Sequence, residues 1–177
     1  MNNRFVVTGG PGGGKTTILK ALEGRGYGVV PEAARRIIKE RLAAGLSRRP
    51  ESVSFGQEIL SSDVEKYRYA ASCNHALFFD RGVLDALYML NAAGALSSDE
   101  VEQYIQRFPY NNLVFLFPPW EEIYIKDSER DQSFEESVVV FEGIKKWYSQ
   151  WGYTTVEVPR DNINDRISFI LQRINPP

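Results

Sequence analysis

The sequence predicts an α/β protein, a three-layer domain in which helices cover both faces of a five-stranded parallel sheet. Three observations predict it. Five short apolar runs alternate with segments of helical pattern along the chain. A glycine-rich stretch, Gly9-Gly10-Pro11-Gly12-Gly13-Gly14-Lys15-Thr16, stands between the first run and the first helical segment. The length of 177 residues, with 43% hydrophobic and 25% charged, suits one globular domain with room for a core. No repeat, low-complexity tract or linker interrupts it, so residues 1–177 are expected to form a single domain.

The first strand is read at Phe5-Val6-Val7-Thr8 and the first helix over residues 16–22. Tyr27-Gly28-Val29-Val30 is a second strand, and Pro31 stands where a helix over residues 32–44 can begin, with Gly45 as its stop. A helix over 55–72 precedes the third strand, His75-Ala76-Leu77-Phe78-Phe79, and a helix over 84–91 follows it. Ser97 and Glu100 have the spacing of a capping box and open the next helix. Leu113-Val114-Phe115-Leu116-Phe117 is apolar throughout, as a strand covered on both faces must be. Ser133 and Glu136 repeat the capping box for a helix reaching Trp151, and 154–158 is the fifth strand. Ile163, Ile167, Ile170, Leu171 and Ile174 line one face of the last helix. The charged, irregular stretch 118–133 is a candidate lid.

Composition narrows the chemistry. One Cys and one His allow no intrachain disulfide and no four-ligand Cys/His zinc site, and any catalytic histidine would have to be His75. Cys73 and His75 sit at a strand entrance and read as structural. A metal here must prefer oxygen ligands, which points to Mg²⁺. A net charge of −2 argues against a dedicated nucleic-acid binder. No run is long and apolar enough for an integral membrane segment, and Met1-Asn2-Asn3-Arg4-Phe5 leads straight into a strand, so a cytoplasmic protein is expected.

The glycine-rich stretch fits G-x-x-x-x-G-K-[ST] in full, with a strand before it and a helix after it. Glycines let the backbone wrap a phosphate so that successive N–H groups face its oxygens, and the helix dipole adds positive potential. Residues Gly10, Pro11, Gly12, Gly13 and Gly14 would cradle the phosphates. Lys15 would reach the β- and γ-phosphates, Thr16 would ligate Mg²⁺, and Thr17 would bond the α-phosphate. The third strand ends in Asp80, where a carboxylate can hold Mg²⁺ directly or through water, or simply cap the following helix. Arg81 follows in place of the Glu that a hydrolytic ATPase commonly uses, and suits phosphoryl charge or an anionic substrate.

Glu32 lies just past the second strand, at the sheet edge where open α/β folds place their sites. It is a candidate base towards a substrate hydroxyl, with Arg35 or Arg36 holding phosphate or substrate. The same spacing equally suits an i,i+3 ion pair. Lys39, Arg41, Arg48 and Arg49 continue the basic character of this region, as a solvated face or a surface for phosphate or lipid headgroups. In the candidate lid, Arg130 could close over the γ-phosphate as an in-chain arginine finger. Arg160, after the fifth strand, is a candidate border to the nucleotide base. The Asn-Lys-x-Asp motif that reads guanine is missing. Trp120, Trp147 and Trp151 read as packing residues.

Gly9-Gly10-Pro11 through Lys15-Thr16-Thr17, Pro31-Glu32-Ala33-Ala34-Arg35 and Phe79-Asp80-Arg81-Gly82 resemble the small AAA-domain predicted-ATPase family. The chain is also similar to the nicotinamide riboside kinase domain of bacterial NAD regulators and, more distantly, to deoxynucleoside and thymidylate kinases. The resemblance implies a P-loop NTPase fold with kinase-like strand order 2-3-1-4-5, Mg²⁺-nucleotide at the loop and an arginine-bearing lid. It implies Glu32 as base, and Asp80 with Arg81 assisting metal and phosphate. The expected function is therefore Mg²⁺-dependent ATP binding, with transfer of the γ-phosphoryl to a nucleoside-like or nucleotide-like acceptor. A regulatory ATPase or GTPase switch without a small-molecule acceptor is the second reading. A multi-subunit remodeller is not expected, because Asp80 lacks the following Glu.

Overall fold

The computed structural model describes residues 2–47, 51–70, 75–124 and 133–174. Its five strands, β1 (Arg4–Thr8), β2 (Gly28–Val30), β3 (Leu77–Asp80), β4 (Leu113–Leu116) and β5 (Thr154–Glu157), pair in parallel in the order β2-β3-β1-β4-β5. That is the order the resemblance implied. The continuous apolarity of the inner strands has a direct cause. Successive side chains leave a strand on opposite faces, and here both faces are covered. Val6, Phe79, Val114 and Leu116 enter one core, while Phe5, Val7, Phe78 and Phe115 enter the other.

The second of these cores is closed by α1 (Lys15–Glu23) and α7 (Ile163–Ile174), through Ile18, Leu22, Ile167 and Ile170. The first is closed by α2 (Ala33–Ala43), α3 (Ser52–Tyr69), α4 (Val83–Ala92), α5 (Ser98–Arg107) and α6 (Phe134–Gln150). Both expected capping boxes form. The Ser97 N–H donates to Glu100 at 2.8 Å, and the Ser133 N–H donates to Glu136 at 2.6 Å. The helix α3 starts earlier than its sequence suggests, because the Glu51 carboxylate accepts from the N–H groups of Val53 at 3.0 Å and Ser54 at 3.1 Å. A short 3-10 turn, Glu121–Ile123, occupies part of the candidate lid. Arg130, Cys73, Arg48 and Arg49 lie outside the described residues. Among the described residues no helix is long and apolar enough to cross a membrane.

Register aligns the strand ends that carry the polar residues. Val7 of β1 stands opposite Asp80 of β3 and Phe115 of β4. The Arg81 N–H donates to the Val7 carbonyl at 3.0 Å, and the Phe117 N–H to the Thr8 carbonyl at 2.8 Å. The glycine stretch therefore leaves β1 between two neighbours already fixed in height. On the side of α4, two bonds fasten α6: Trp147 Nε1–H donates to the Leu84 carbonyl at 3.0 Å, and the Tyr148 hydroxyl to Asp85 Oδ2 at 2.7 Å. Tyr148 is fully buried. Tyr148→Phe removes one donor from a buried carboxylate and should cost about 1–3 kcal/mol of unfolding free energy in a urea titration. An unchanged midpoint would show that the bond contributes nothing.

Candidate active site

The glycine stretch between β1 and α1 closes a loop that only glycine geometry permits. Gly9 has φ 129° and Gly12 has φ 81°, both in the left-handed region. A Cβ on Gly9 would run into the Phe117 carbonyl, and one on Gly12 into the Tyr124 ring. Lys15 opens α1 and folds back over this loop, donating to the Gly10 carbonyl at 3.0 Å and the Gly9 carbonyl at 3.4 Å. Burial, followed by the nearby Arg81 charge, lowers the Lys15 pKa to about 8, with Asp80, Glu32 and Asp85 pulling the other way. A phosphate arriving beside this cation would raise its pKa again and be held by it in turn.

A second loop contact comes from α7. Arg166, 3% exposed, donates to the Gly13 carbonyl at 2.7 Å, and its guanidinium lies 4.7 Å from the Phe117 ring centre and 5.6 Å from that of Trp120. Because the Gly13–Gly14 peptide is planar and trans, a carbonyl drawn to Arg166 turns the Gly14 N–H to the opposite side. Arg166 thus orients a loop donor. Trp120, expected as packing, lines the cavity described below.

Across from the loop, four charged side chains form a connected network. Arg81 follows β3 with φ 65°, a left-handed conformation that no other non-glycine among the described residues adopts. Its Nε–H donates to Glu32 Oε1 at 2.9 Å and its Nη1–H to Asp85 Oδ1 at 3.3 Å. Glu32, at the start of α2, also accepts from Arg35 Nε–H at 3.0 Å. Burial pushes the Glu32 pKa up, but Arg81, Lys15 and Arg35 outweigh it and hold the carboxyl below its usual range. Arg81 is correspondingly raised by Glu32, Asp85 and Asp80 against the cost of burial, and keeps its charge. Asp85 completes the network by accepting from the Thr8 hydroxyl, the Gly82 N–H at 3.1 Å and the Tyr148 hydroxyl at 2.7 Å.

Asp80, at the end of β3, is 8% exposed, and its Oδ1 has no hydrogen-bond partner among the described residues. Burial raises its pKa, with the Lys15 charge opposing. An orphaned buried carboxylate oxygen with a hydroxyl on the neighbouring helix, Thr16, fits Mg²⁺, which takes few protein oxygens and completes its shell with water and phosphate. No group of three or more His, Cys, Asp or Glu able to hold a metal by itself exists among the described residues.

One cavity of about 960 Å³ joins these parts. Its lining includes residues 11–17 of the loop, Glu32, Arg35, Arg81, Asp85, Trp120 and Arg166, and beyond them an apolar wall containing Phe55, Ile59, Met89 and Ile144. Arg36, weighed beside Arg35, turns the other way. It pairs with Glu40 at 2.7 Å and donates to the Ser62 hydroxyl at 2.9 Å, bracing α2 against α3. Arg41 likewise pairs with Glu58 at 3.2 Å. Arg160 donates to the Pro119 carbonyl at 3.0 Å and is absent from the cavity lining. His75 is exposed at the entrance of β3, far from this edge of the sheet.

Three residues of the site escaped sequence reasoning, although each left a signal. Asp85 stands three residues after Gly82, the spacing of a capping carboxylate, and the box is present. Arg166 interrupts the apolar stripe of Ile163, Ile167 and Ile170. Asp63 occupies the third place of a four-residue stripe, Phe55, Ile59, Asp63 and Tyr67, all buried on α3. A charged residue on an apolar helix face is the trace that each of the last two leaves.

A phosphate loop on a parallel sheet ordered β2-β3-β1-β4-β5 defines a P-loop protein of kinase-like fold. The chain belongs to the AAA domain family, whose pattern matches residues 4–166. Among solved structures it is similar to deoxyadenosine kinase from M. mycoides with the products dCMP and dCDP bound, at 15% identity and TM-score 0.68, covering 98% of this chain and 100% of that one. The same kinase with bound dATP matches at 16% identity and TM-score 0.64, covering 97% and 98%. Thymidylate kinase from Candida albicans matches at 12% identity and TM-score 0.65, covering 98% and 91%. No curated protein matches the chain.

The site carries a titration that stability can report. Burial, partly offset by Lys66, raises the Asp63 pKa from 3.8 to about 7. A folded carboxyl that holds its proton more tightly than the unfolded one makes wild-type stability fall as pH rises through that window. Asp63→Leu should therefore gain on the wild type between pH 3.8 and about 7 and keep the gain above it, as read from paired thermal melts. A gap that stays constant across these pH values would mean that Asp63 is ionised as in water.

Proposed function

We propose that the protein is a phosphotransferase that moves the γ-phosphoryl group of Mg²⁺-ATP onto a hydroxyl of a nucleoside-like or nucleotide-like acceptor. One observation carries this reading above the others. The cavity at the phosphate loop continues past Glu32 and Arg81 into an apolar-walled chamber, and a protein that only binds and hydrolyses a nucleotide has no need of that second room. The fold shared with deoxyadenosine and thymidylate kinases supports the same reading, because those proteins act on acceptors of this class.

In this account the loop N–H groups and Lys15 hold the β- and γ-phosphates, and Arg166 keeps the Gly13–Gly14 peptide in its phosphate-facing orientation. Thr16 and Asp80 would hold Mg²⁺, which neutralises charge on the phosphates when bound. Glu32, ionised and fixed by Arg81 and Arg35, accepts a hydrogen bond from the acceptor hydroxyl and aligns its oxygen with the γ-phosphorus. The new bond joins that oxygen to phosphorus, the bond to the ADP oxygen breaks, and the hydroxyl proton passes to the Glu32 carboxylate. Catalysis of this kind rests on positioning and on charge placed in advance, which a buried, mutually braced network supplies. Arg81 lies where it can meet charge on the transferring group. Arg35 holds Glu32 in place, and Arg130 in the lid is assigned to the γ-phosphate from sequence alone.

The test is ADP formation from Mg²⁺-ATP, alone and with a panel of nucleosides and nucleotides. Stimulation by at least one acceptor is expected, and Glu32→Gln should lower that stimulated rate by about 10²-fold or more while nucleotide binding survives. Lys15→Ala should lose the binding itself. A nucleotide-binding protein that no acceptor stimulates, with Glu32→Gln behaving as wild type, would instead be a regulatory switch.

A further inference from the structure

Phosphoryl transfer as described assigns no work to Asp63. This residue is 5% exposed and lines the same cavity as Glu32 and Arg81. Among the described residues no group donates a hydrogen bond to its carboxyl. The nearest cation, Lys66 Nζ, stands 3.9 Å away and is committed to the Pro31 carbonyl at 2.6 Å. A buried carboxyl without donors is costly, and native proteins keep such groups where something outside the fold supplies the missing partner. The neighbouring wall is apolar: Phe55 and Ile59 on the same helix, Met89 on α4 and Ile144 on α6. Surfaces of this kind take the faces of a flat ring, and leave one polar edge for Asp63 to meet.

We propose that Asp63 is a specificity-determining residue of the acceptor chamber, receiving an exocyclic amino group on the edge of a planar heterocyclic acceptor whose faces lie against Phe55, Ile59 and Met89. The proposal rests on the reading that this chamber takes the phosphoryl acceptor. An amino group donates to a carboxyl oxygen in either protonation state. With a carboxyl pushed up to about 7 by burial, the protonated form can also donate to a ring nitrogen beside the amino group. An oxo group at the same edge sets oxygen against oxygen and leaves the buried acid unpaired, which is how a built polar site rejects a near-isostere. The selectivity role also separates from a structural one by sign. A carboxyl kept for the fold would weaken it when removed, whereas removing a buried acid that no hydrogen bond supports strengthens it.

Calorimetric titration of the full chain, held with Mg²⁺ and a non-hydrolysable ATP analogue, compares adenosine with inosine and cytidine with uridine, in ribose and deoxyribose forms. Each amino compound should bind at least about tenfold tighter than its oxo counterpart. Asp63→Leu and the smaller change Asp63→Ala should bring that ratio close to one while leaving Mg²⁺-ATP affinity unaltered, which also reports that the variants are folded. A wild type that binds neither class or shows no preference overturns the proposal, as does a preference that survives both substitutions. The underlying reading fails separately. Amino-selective binding with no phosphoryl transfer would keep Asp63 and discard the kinase. Equal transfer to oxo and amino acceptors would keep the kinase and discard Asp63.

Discussion

The Asp85 carboxylate is the constraint on which the rest of the site depends. It gathers donors from β1, through the Thr8 hydroxyl, from the first peptide of α4, through Gly82, from α6, through Tyr148, and from the Arg81 guanidinium. A single buried anion thereby fixes the strand that feeds the phosphate loop, the helix that follows β3 and the helix packed behind it. It also explains how Arg81 is held in a left-handed conformation. Such a backbone costs of order 1–3 kcal/mol and persists only where surrounding bonds over-determine it. Here the Arg81 N–H is tied to β1 and the side chain to two carboxylates. Reach, rather than flexibility, brings Arg81 to Glu32.

Charge in the cavity is arranged to be incomplete without a phosphate. Lys15 is lowered to about 8 by burial and by Arg81, so phosphate charge beside it would strengthen its hold on the proton. Asp80 is raised by burial, and its Oδ1 has no hydrogen-bond partner among the described residues. Glu32 alone among these groups is held ionised by its neighbours, Arg81 and Arg35. The loop side therefore carries a cation weakened by burial, while the acceptor side holds a braced carboxylate. Binding energy from the phosphates can restore the loop side without disturbing Glu32, which is the division that phosphoryl transfer needs.

Most of the fold was legible because its signals are local. Apolar runs marked the strands, capping boxes at Ser97 and Ser133 marked two helix starts, and the glycine stretch marked the loop. Glu32 and Arg81 were found as motif residues. That they touch was not, since their contact spans two strands and depends on the turn after β3. Arg35 and Arg36 were indistinguishable by composition, and the helix phase decided between them: one residue's rotation places Arg36 against Glu40 and Ser62. Asp63, Asp85 and Arg166 belong to no motif, because what each of them meets lies on another element of the fold. Only the packing of α3, α4 and α7 against the sheet revealed that these faces are internal.

The destination of the γ-phosphoryl group separates transfer from hydrolysis most directly. A single turnover of γ-labelled Mg²⁺-ATP, with protein in excess over nucleotide and acceptor present, places the label either on the acceptor or in inorganic phosphate. Label recovered as a phosphate ester on the acceptor hydroxyl is the expected result, with loss of that product in Glu32→Gln. Label appearing only as inorganic phosphate, at a rate indifferent to every acceptor and to Glu32, would contradict the account.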